Sequence, residues 1–390
     1  MNVLVVNAGS STLKYQVIDT KSHKVSAKGS CERVCFTGGT FTHAANGSKK
    51  VTENIEFPDH KVAIEVVLKD LEANGVKIEG IGHRIVQGGW YFGDSSLVDE
   101  DVLAKIREVA PLAPLHNNPE ANVIEYCLEQ YPDLPNVTVY DTAFHFNMPE
   151  VAKTYALPKD VCDKLHIRKY GAHGTSYRYI SKKVAEMTNG EARKVVVCHI
   201  GSGASLCAIE DGKCMDTTMG LTPLDGVMMG TRCGDLDPSV VNYLKYTLNI
   251  TGHELDEILN KKSGLLGISG VSSDKRDVEE AAAAGNKRAQ LASDMLNYQI
   301  KKTIGSYIAA MGGVDAIVFT GGIGEHDAIA RAKICHHMDW LGIRIDTEKN
   351  KHPVGDVCEI TAWGAKVRTL VIATDEELMI ARDTKEVVEK

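Results

Sequence analysis

Residues 3–19 (VLVVNAGSSTLKYQVID) and 195–210 (VVVCHIGSGASLCAIE) follow one plan: an apolar run, a tight turn of Gly and Ser, then a second alternating run. Each turn offers several backbone N–H groups with little side-chain bulk, which suits a phosphate oxygen. A P-loop or dinucleotide loop leads from strand into helix. Here Lys14-Tyr15-Gln16-Val17-Ile18-Asp19 alternates with period two and reads as a returning strand. Two such strand–turn–strand loops predict two similar domains closing on one phosphate chain, whereas two ordinary hairpins would leave the turns without a task.

The 390 residues suffice for two domains, each with its own core. With 43% hydrophobic and 25% charged residues the composition is globular, and no apolar run is long enough to cross a bilayer. The opening MNVLVVNAGSS has neither a basic leader nor a cleavage signal, which predicts a cytoplasmic protein. A net charge of −8 without a Lys/Arg-rich face argues against nucleic acid and anionic membranes as partners. The ten cysteines are scattered, with Cys31 and Cys35 the nearest approach to a metal spacing, and His336-His337 lack a second ligand pair. They are expected to be reduced, small and mostly buried rather than to bind zinc.

Along the chain, the apolar spacing of Ile64, Val67, Leu68 and Leu71 predicts a helix over 61–74, followed by a strand through Ile81–Val86. Asp99 is expected to cap one helix and Asn118-Pro119 to open another, before a strand Val137–Tyr140. The second half repeats this order. It has helices from Asp237-Pro238 and near Thr251, a long helical region over 278–311 and a strand Asp315–Thr320. A helix 325–340, a strand Val367–Thr374 and a final helix from Asp375 follow. The pattern predicts an α/β protein with two mixed sheets. Its domains would be 1–150 and 151–374, with the helix 375–390 packing back on the first.

A third glycine cluster, Phe319–Glu325 (FTGGIGE), lies between a strand and a helix, where backbone approaches a phosphate or the ribose and base beside it. Asp346 stands about twenty residues further on, as a dinucleotide fold would require, but the third glycine of that fingerprint is missing. Polar residues also interrupt apolar stretches: Arg84 at a strand end, Asp141 at another, His173 in YGAHGTS, and Arg232 after MMGT. Each alone could be a structural ion pair or a capped loop. Together they are an inventory for phosphoryl transfer: cations for charged oxygens, a carboxylate for a metal, glycines for close approach.

These residues resemble the acetokinase family, within the acetate and sugar kinase, Hsp70 and actin superfamily, over essentially the whole chain. The shared signatures are Asn7–Lys14 (NAGSSTLK), Ala113–Asn117 (APLHN), Asp216–Asp237 (DTTMGLTPLDGVMMGTRCGDLD), Ser263–Asp277 (SGLLGISGVSSDKRD) and Phe319–Glu325. The resemblance implies two actin-like, ribonuclease H-like domains, each a mixed five-stranded sheet on a duplicated βββαβαβα core. It implies a homodimer catalysing ATP + acetate ⇌ ADP + acetyl phosphate with Mg²⁺ or Mn²⁺, by direct in-line attack of the carboxylate.

Residue by residue, the resemblance puts Asn7, Ser10 and Lys14 in the phosphate loop. It makes Arg84 and Arg232 the arginines that hold the carboxylate and the moving phosphate, and His173 a donor to phosphoryl oxygens, with His116 in support. Asp141 and Glu376, with Asn7, become the magnesium-linked residues. Val86, Leu115, Ala172 and Pro223 become walls of the acetate pocket. His199, Gly201, Ser202, Gly203, Asp274, Arg276, Gly321, Gly322, Ile323, Gly324 and His326 fall in the nucleotide region.

Five positions depart from the family pattern. Ala172 stands where Phe is usual and Tyr177 where His is usual; Gln87 replaces His, Ser202 replaces Asn, and His326 replaces Asn. Losing the Phe ring predicts a larger acyl pocket and weaker discrimination against propionate. Ser202 and His326 leave open another nucleotide or pyrophosphate as donor. A non-catalytic actin-like nucleotide-binding protein is the alternative of a different class; it would have no reason to assemble Arg84, His173 and Arg232.

Overall fold

The computed structural model describes residues 1–390. It divides into a first compact unit of residues 1–146, 174–179 and 375–390 and a second of 147–173 and 180–374. The short Gly174–Tyr179 segment, expected with the second domain, belongs to the first. A Cβ on Gly174 would lie 2.2 Å from the Asp141 carbonyl oxygen, so only glycine permits this approach.

In the first unit eight strands form one sheet: β1 (Asn2–Ala8), β2 (Thr12–Asp19), β3 (Val25–Glu32), β4 (Thr40–Ala45), β5 (Val51–Asn54), β6 (Gly80–Ile85), β7 (Ser96–Leu97) and β8 (Asn136–Tyr140). Their order is β5-β4-β3-β2-β1-β6-β8-β7. β1 and β2 are the hairpin read from the sequence, antiparallel with Asn7 opposite Lys14. β1, β6 and β8 run parallel, so their C-terminal ends share one edge. Along β2, Leu13, Tyr15 and Val17 are buried while Lys14 and Gln16 face the other way, the expected period of two. The inward set packs on Ile64, Val67, Leu68 and Leu71 of the helix His60–Ala73, which Asp59 caps through the Val62 N–H at 2.9 Å.

The opposite face of this sheet receives the helix Glu376–Val388, so the chain ends meet in one unit. Contact is close: a Cβ on Gly82 of β6 would lie 2.4 Å from Thr384 Oγ1 and 2.8 Å from Ile380 Cγ2.

The second unit holds β9 (Lys194–Ile200), β10 (Ala204–Glu210), β11 (Lys213–Thr217), β12 (Ala316–Thr320), β13 (Val357–Glu359) and β14 (Arg368–Ile372), in the order β11-β10-β9-β12-β14-β13. The core orders β3-β2-β1-β6-β8 and β11-β10-β9-β12-β14 match strand for strand. This is the duplicated actin-like core. Each sheet exceeds the five strands expected. β4, β5 and β7 extend the first and β13 the second; β4 is half-buried, whereas β5 is fully exposed and β7 and β13 are only two and three residues long, so periodicity marks those three weakly.

Helix boundaries differ in three places. The helix expected from Asn118-Pro119 begins at Pro114, whose missing N–H is harmless in a first turn, and runs to Gln130 with Pro119 inside it. The long region 278–311 is two helices, Lys275–Ala283 and Lys287–Met311. They are separated by Gly285 at φ 93° and by Asn286, whose side chain caps the second. The helix expected at 325–340 begins at Gly321, and Asp327 ends it and caps a second helix, Ala328–Cys335. Asp346 caps the short helix Thr347–Lys351, its Oδ1 accepting the Glu348 and Lys349 N–H groups.

Replacing Gly82 by Ala is expected to lower stability by about 1–3 kcal/mol through overpacking against Ile380 and Thr384. Thermal melts compared with wild type measure it, and an unchanged melting temperature would contradict the tight seat of the last helix.

Candidate active site

In the first unit the ends of the parallel strands carry the chemistry. Asn7 lies near the end of β1, Arg84 near the end of β6, and Asp141 directly after β8. The Arg84 guanidinium donates from Nη2 to Asp141 Oδ2 at 2.7 Å, from Nε to both Asp141 oxygens at 3.1 and 3.3 Å, and from Nη1 to Asn7 Oδ1 at 3.3 Å. Thr175 Oγ1 donates to Asp141 Oδ1 at 3.0 Å, and the Asp141 backbone N–H donates to the Ile85 carbonyl, so the carboxylate is locked in place.

Two further carboxyls surround the same guanidinium. Glu120, 2% exposed, accepts the Val86 N–H at 3.3 Å on both oxygens, and Glu376 opens the last helix. Burial works against the Arg84 charge, but Asp141, Glu376 and Glu120 outweigh it and hold the guanidinium above its ordinary pKa. Burial drives Glu120 well above the carboxylate range despite Arg84. Glu376 is only half-buried by area, yet the surrounding protein pushes its carboxyl up to about 7, against the pull of Arg84 and with Asp141 and Glu377 adding to the rise. One cation thus faces an excess of carboxyls.

The second unit shows the reverse imbalance. Arg232 donates from Nη1 to the Pro223 carbonyl at 3.0 Å, with Met229 Sδ at 3.4 Å, and forms no ion pair. Burial alone acts on it and pulls its pKa down. His173 sits at φ 58°, its Nδ1 2.7 Å from Ser205 Oγ and its ring stacked on His199 at 4.2 Å. Both point at the glycine turn after β9: a Cβ on Gly203 would lie 3.6 Å from Arg232 Nη1 and 3.6 Å from His173 Nε2. The FTGGIGE segment meets the same turn, since a Cβ on Gly321 would come within 3.0 Å of the Ile200 carbonyl and 3.2 Å of His199. His173, His199, Gly201, Ser202, Gly203, Arg232 and Gly321 therefore form one cluster. Gly324 packs under it, Ile323 is half-buried, and Gly322 and His326 face solvent.

The remaining expected residues are more dispersed. Ser10 and Lys14 are exposed on the first hairpin, whose Gly9 carbonyl contacts His60 Nε2 at 2.7 Å. Asp274 caps the helix Lys275–Ala283 and pairs with the exposed Arg276, which holds the Asp274 carboxyl down at about 2. That pair is self-contained. Among the expected acyl-pocket walls, Val86 is buried in the first unit and Leu115 is 62% exposed there. Ala172 is buried in the second unit's core and Pro223 is half-buried near Arg232. His116 lies in the first turns of the helix Pro114–Gln130.

The Acetokinase family profile matches residues 2–382. The chain belongs to the acetokinase family. An acetate kinase of Clostridium botulinum (strain Kyoto / Type A2) is 49% identical over 399 residues, covering all of both chains. The crystal structure of Porphyromonas gingivalis acetate kinase superposes with a TM-score of 0.94 at 41% identity, and that of a Francisella tularensis propionate kinase with 0.93 at 40%; each covers 99% of both chains. As an acetokinase the chain is a kinase whose acceptor is a carboxyl group.

Several supporting residues of this acetokinase escape sequence reading. Glu120, Asn117, Thr175 and Ser205 look like ordinary helix or strand polar residues. Yet Asn117 clamps the Gln87 backbone through two bonds, to its carbonyl at 2.8 Å and from its N–H at 3.2 Å. The one available signal was their place beside recognised motifs: Asn117 within APLHN, Thr175 after His173, Ser205 after the second glycine turn.

A carboxyl raised by burial binds its proton more tightly in the folded state than in the unfolded one. The Glu376 contribution to stability therefore falls as pH rises from the ordinary carboxylate range through about 7. In EDTA, Glu376→Gln is expected to match wild type in melting temperature at pH 5 and to exceed it at pH 8. Parallel melting curves across that range would contradict the raised carboxyl.

Proposed function

We propose that this acetokinase transfers the terminal phosphoryl group of ATP reversibly to acetate, giving acetyl phosphate and ADP, with magnesium or manganese as its divalent ion. One observation carries the reading: Arg232 has no carboxylate opposite its charge and stands beside His173 at a glycine turn. A partly buried guanidinium without a counter-ion is costly unless an anion meets it, and a phosphoryl group is such an anion.

The acceptor needs no general base, because acetate is already ionised at neutral pH. One carboxylate oxygen forms the new bond to phosphorus while the bond to the ADP oxygen breaks, and no proton moves. The obstacle is bringing two anions together. Arg84 uses three of its five N–H donors on Asp141 and Asn7 and keeps the others for the acceptor carboxylate. His173 and Arg232 would take the charge that develops on the phosphoryl oxygens. His199, the Gly201–Gly203 turn and the Gly321–Gly324 segment, with Ile323 and His326, would receive the nucleotide, and Asp274 and Arg276 the ribose side. The second unit is thus the nucleotide half.

Asp141, Glu376 and Asn7 fit a divalent cation. They are hard oxygen donors, and the carboxyls that burial keeps partly protonated around Arg84 could exchange those protons for a divalent ion. Bound there, the ion would neutralise phosphate charge during transfer.

Ala172 supports a broader acyl range, because a methyl group leaves more room than the ring usual at this position in the family. A homodimer is part of the proposal. The helix Pro238–Thr247 buries none of its residues and exposes Val240, Tyr243 and Tyr246 beside Leu236 and Leu248. A cytoplasmic location completes it.

A hydroxamate-trap assay with acetate, propionate and butyrate against ATP, GTP and pyrophosphate tests the reading. ATP with acetate is expected to be active, and propionate to reach a kcat/KM within about tenfold of acetate. Arg84→Ala and Arg232→Ala should each lower kcat by roughly 10²–10³-fold or more. No product with any pair would refute the kinase, and near-normal turnover in either variant would refute its role. Sedimentation should give twice the 42.4 kDa chain mass, and Tyr243→Asp/Tyr246→Asp should reduce it to one; a wild-type monomer would overturn the dimer.

A further inference from the structure

The face of the first unit's sheet that receives the helix Glu376–Val388 is only partly covered. Beyond the helix lies a groove of about 370 Å³ along β1 to β4. Its floor follows from strand register. Asn7 pairs with Lys14, Lys14 with Ser30 and Ser30 with Thr42, forming one row across four strands. Val5, Gln16, Lys28 and Ala44 form the next row. Positions two apart on a strand share a face, so both rows point into the groove. Lys50, just before β5, lines it as well, and Glu377 is its one carboxylate.

Lys14, Lys28 and Lys50 form no ion pair, whereas Lys194 of β9 pairs with Glu210 of β10 at 3.8 Å. Lys14 and Lys28 are diagonal neighbours on adjacent strands, roughly 7–8 Å apart at their Cβ atoms, where like charges repel. Ser30, Thr42, Gln16 and Asn7 add hydroxyl and amide groups between them. The row from Asn7 to Thr42 spans three strand spacings, roughly 14 Å, longer than one phosphate needs. The only aromatic residue lining the groove, Tyr15, is buried, so no ring is available to stack on a base.

We propose that this groove binds a small polyanion of two or more linked phosphates, as a ligand separate from the nucleotide. Lys14, Lys28 and Lys50 neutralise the chain, and the hydroxyl and amide groups between them hydrogen-bond its oxygens. The row begins at Asn7, so the bound polyanion lies beside the Arg84 cluster. Binding itself does not depend on the kinase reading.

The test is calorimetric titration of the full chain with tripolyphosphate in metal-free buffer, with and without saturating ADP, on wild type and on Lys28→Gln/Lys50→Gln. Neither lysine belongs to the transfer machinery, so kcat and the KM for acetate in the double variant should be unchanged, which also reports an intact fold. Wild type is expected to bind saturably, more weakly as salt rises, and equally with ADP present. The double variant should bind roughly tenfold or more weakly. Absence of saturable binding, equal affinity of the two proteins, or displacement by ADP would each overturn the proposal. Displacement would assign the groove to the nucleotide's own phosphates. Because the titration reads binding without turnover, it stands or falls separately from the hydroxamate assay.

Discussion

Two arginines with opposite charge environments organise this acetokinase. Arg84 sits among Asp141, Glu120 and Glu376, more carboxyls than its single charge can neutralise. Arg232 is partly buried with a carbonyl, a thioether and a glycine turn for company and no carboxylate at all. In the first environment burial keeps the extra carboxyls partly protonated, and the second leaves a cation open to an anion. A kinase brings a phosphate chain, the kind of anion that a buried guanidinium without a carboxylate can meet.

The fold delivers these groups through strand ends. In the first unit the parallel strands β1, β6 and β8 stop at one edge, placing Asn7, Arg84 and Asp141 within hydrogen-bond reach although they are 77 and 57 residues apart in pairs. In the second unit β9 and β12 do the same for His199 and the Gly321 segment, and Glu325 ties that segment to the end of β14 by accepting the Gly321 and Thr374 N–H groups. Hydrogen-bonded strands sit about 4.8 Å apart, so residues at neighbouring ends are within reach of one ligand. The helix Pro114–Gln130 contributes clamps, Asn117 and Glu120 holding the Val86-Gln87 backbone, while the last helix brings Glu376 to Arg84.

Much of this was legible beforehand where a local rule acts. The alternation in 12–19, the helix starts at Asp99, Asp237 and Thr251, and the glycine turns each obey short-range chemistry and appear where expected. The motif residues Arg84, Asp141, His173 and Arg232 stood out because ionic groups interrupt apolar runs. What escaped has no local signature. Glu120 reads as a helix-surface glutamate but is buried because its helix packs against β6; Pro119 reads as a start signal but is carried inside a helix that Pro114 begins. The pairing of Asp274 with Arg276 at a helix terminus was likewise not visible in the sequence.

The sequence by itself determined the duplicated hairpins, the order of strands and helices, and the identities of the charged groups, since all of these follow from periodicity and from residue type. Only the tertiary structure decided which charges are balanced. Whether a guanidinium meets three carboxyls or none depends on which strand ends become neighbours and how deeply they are buried. Residues tens of positions apart set that by long-range packing, and no window of sequence contains it.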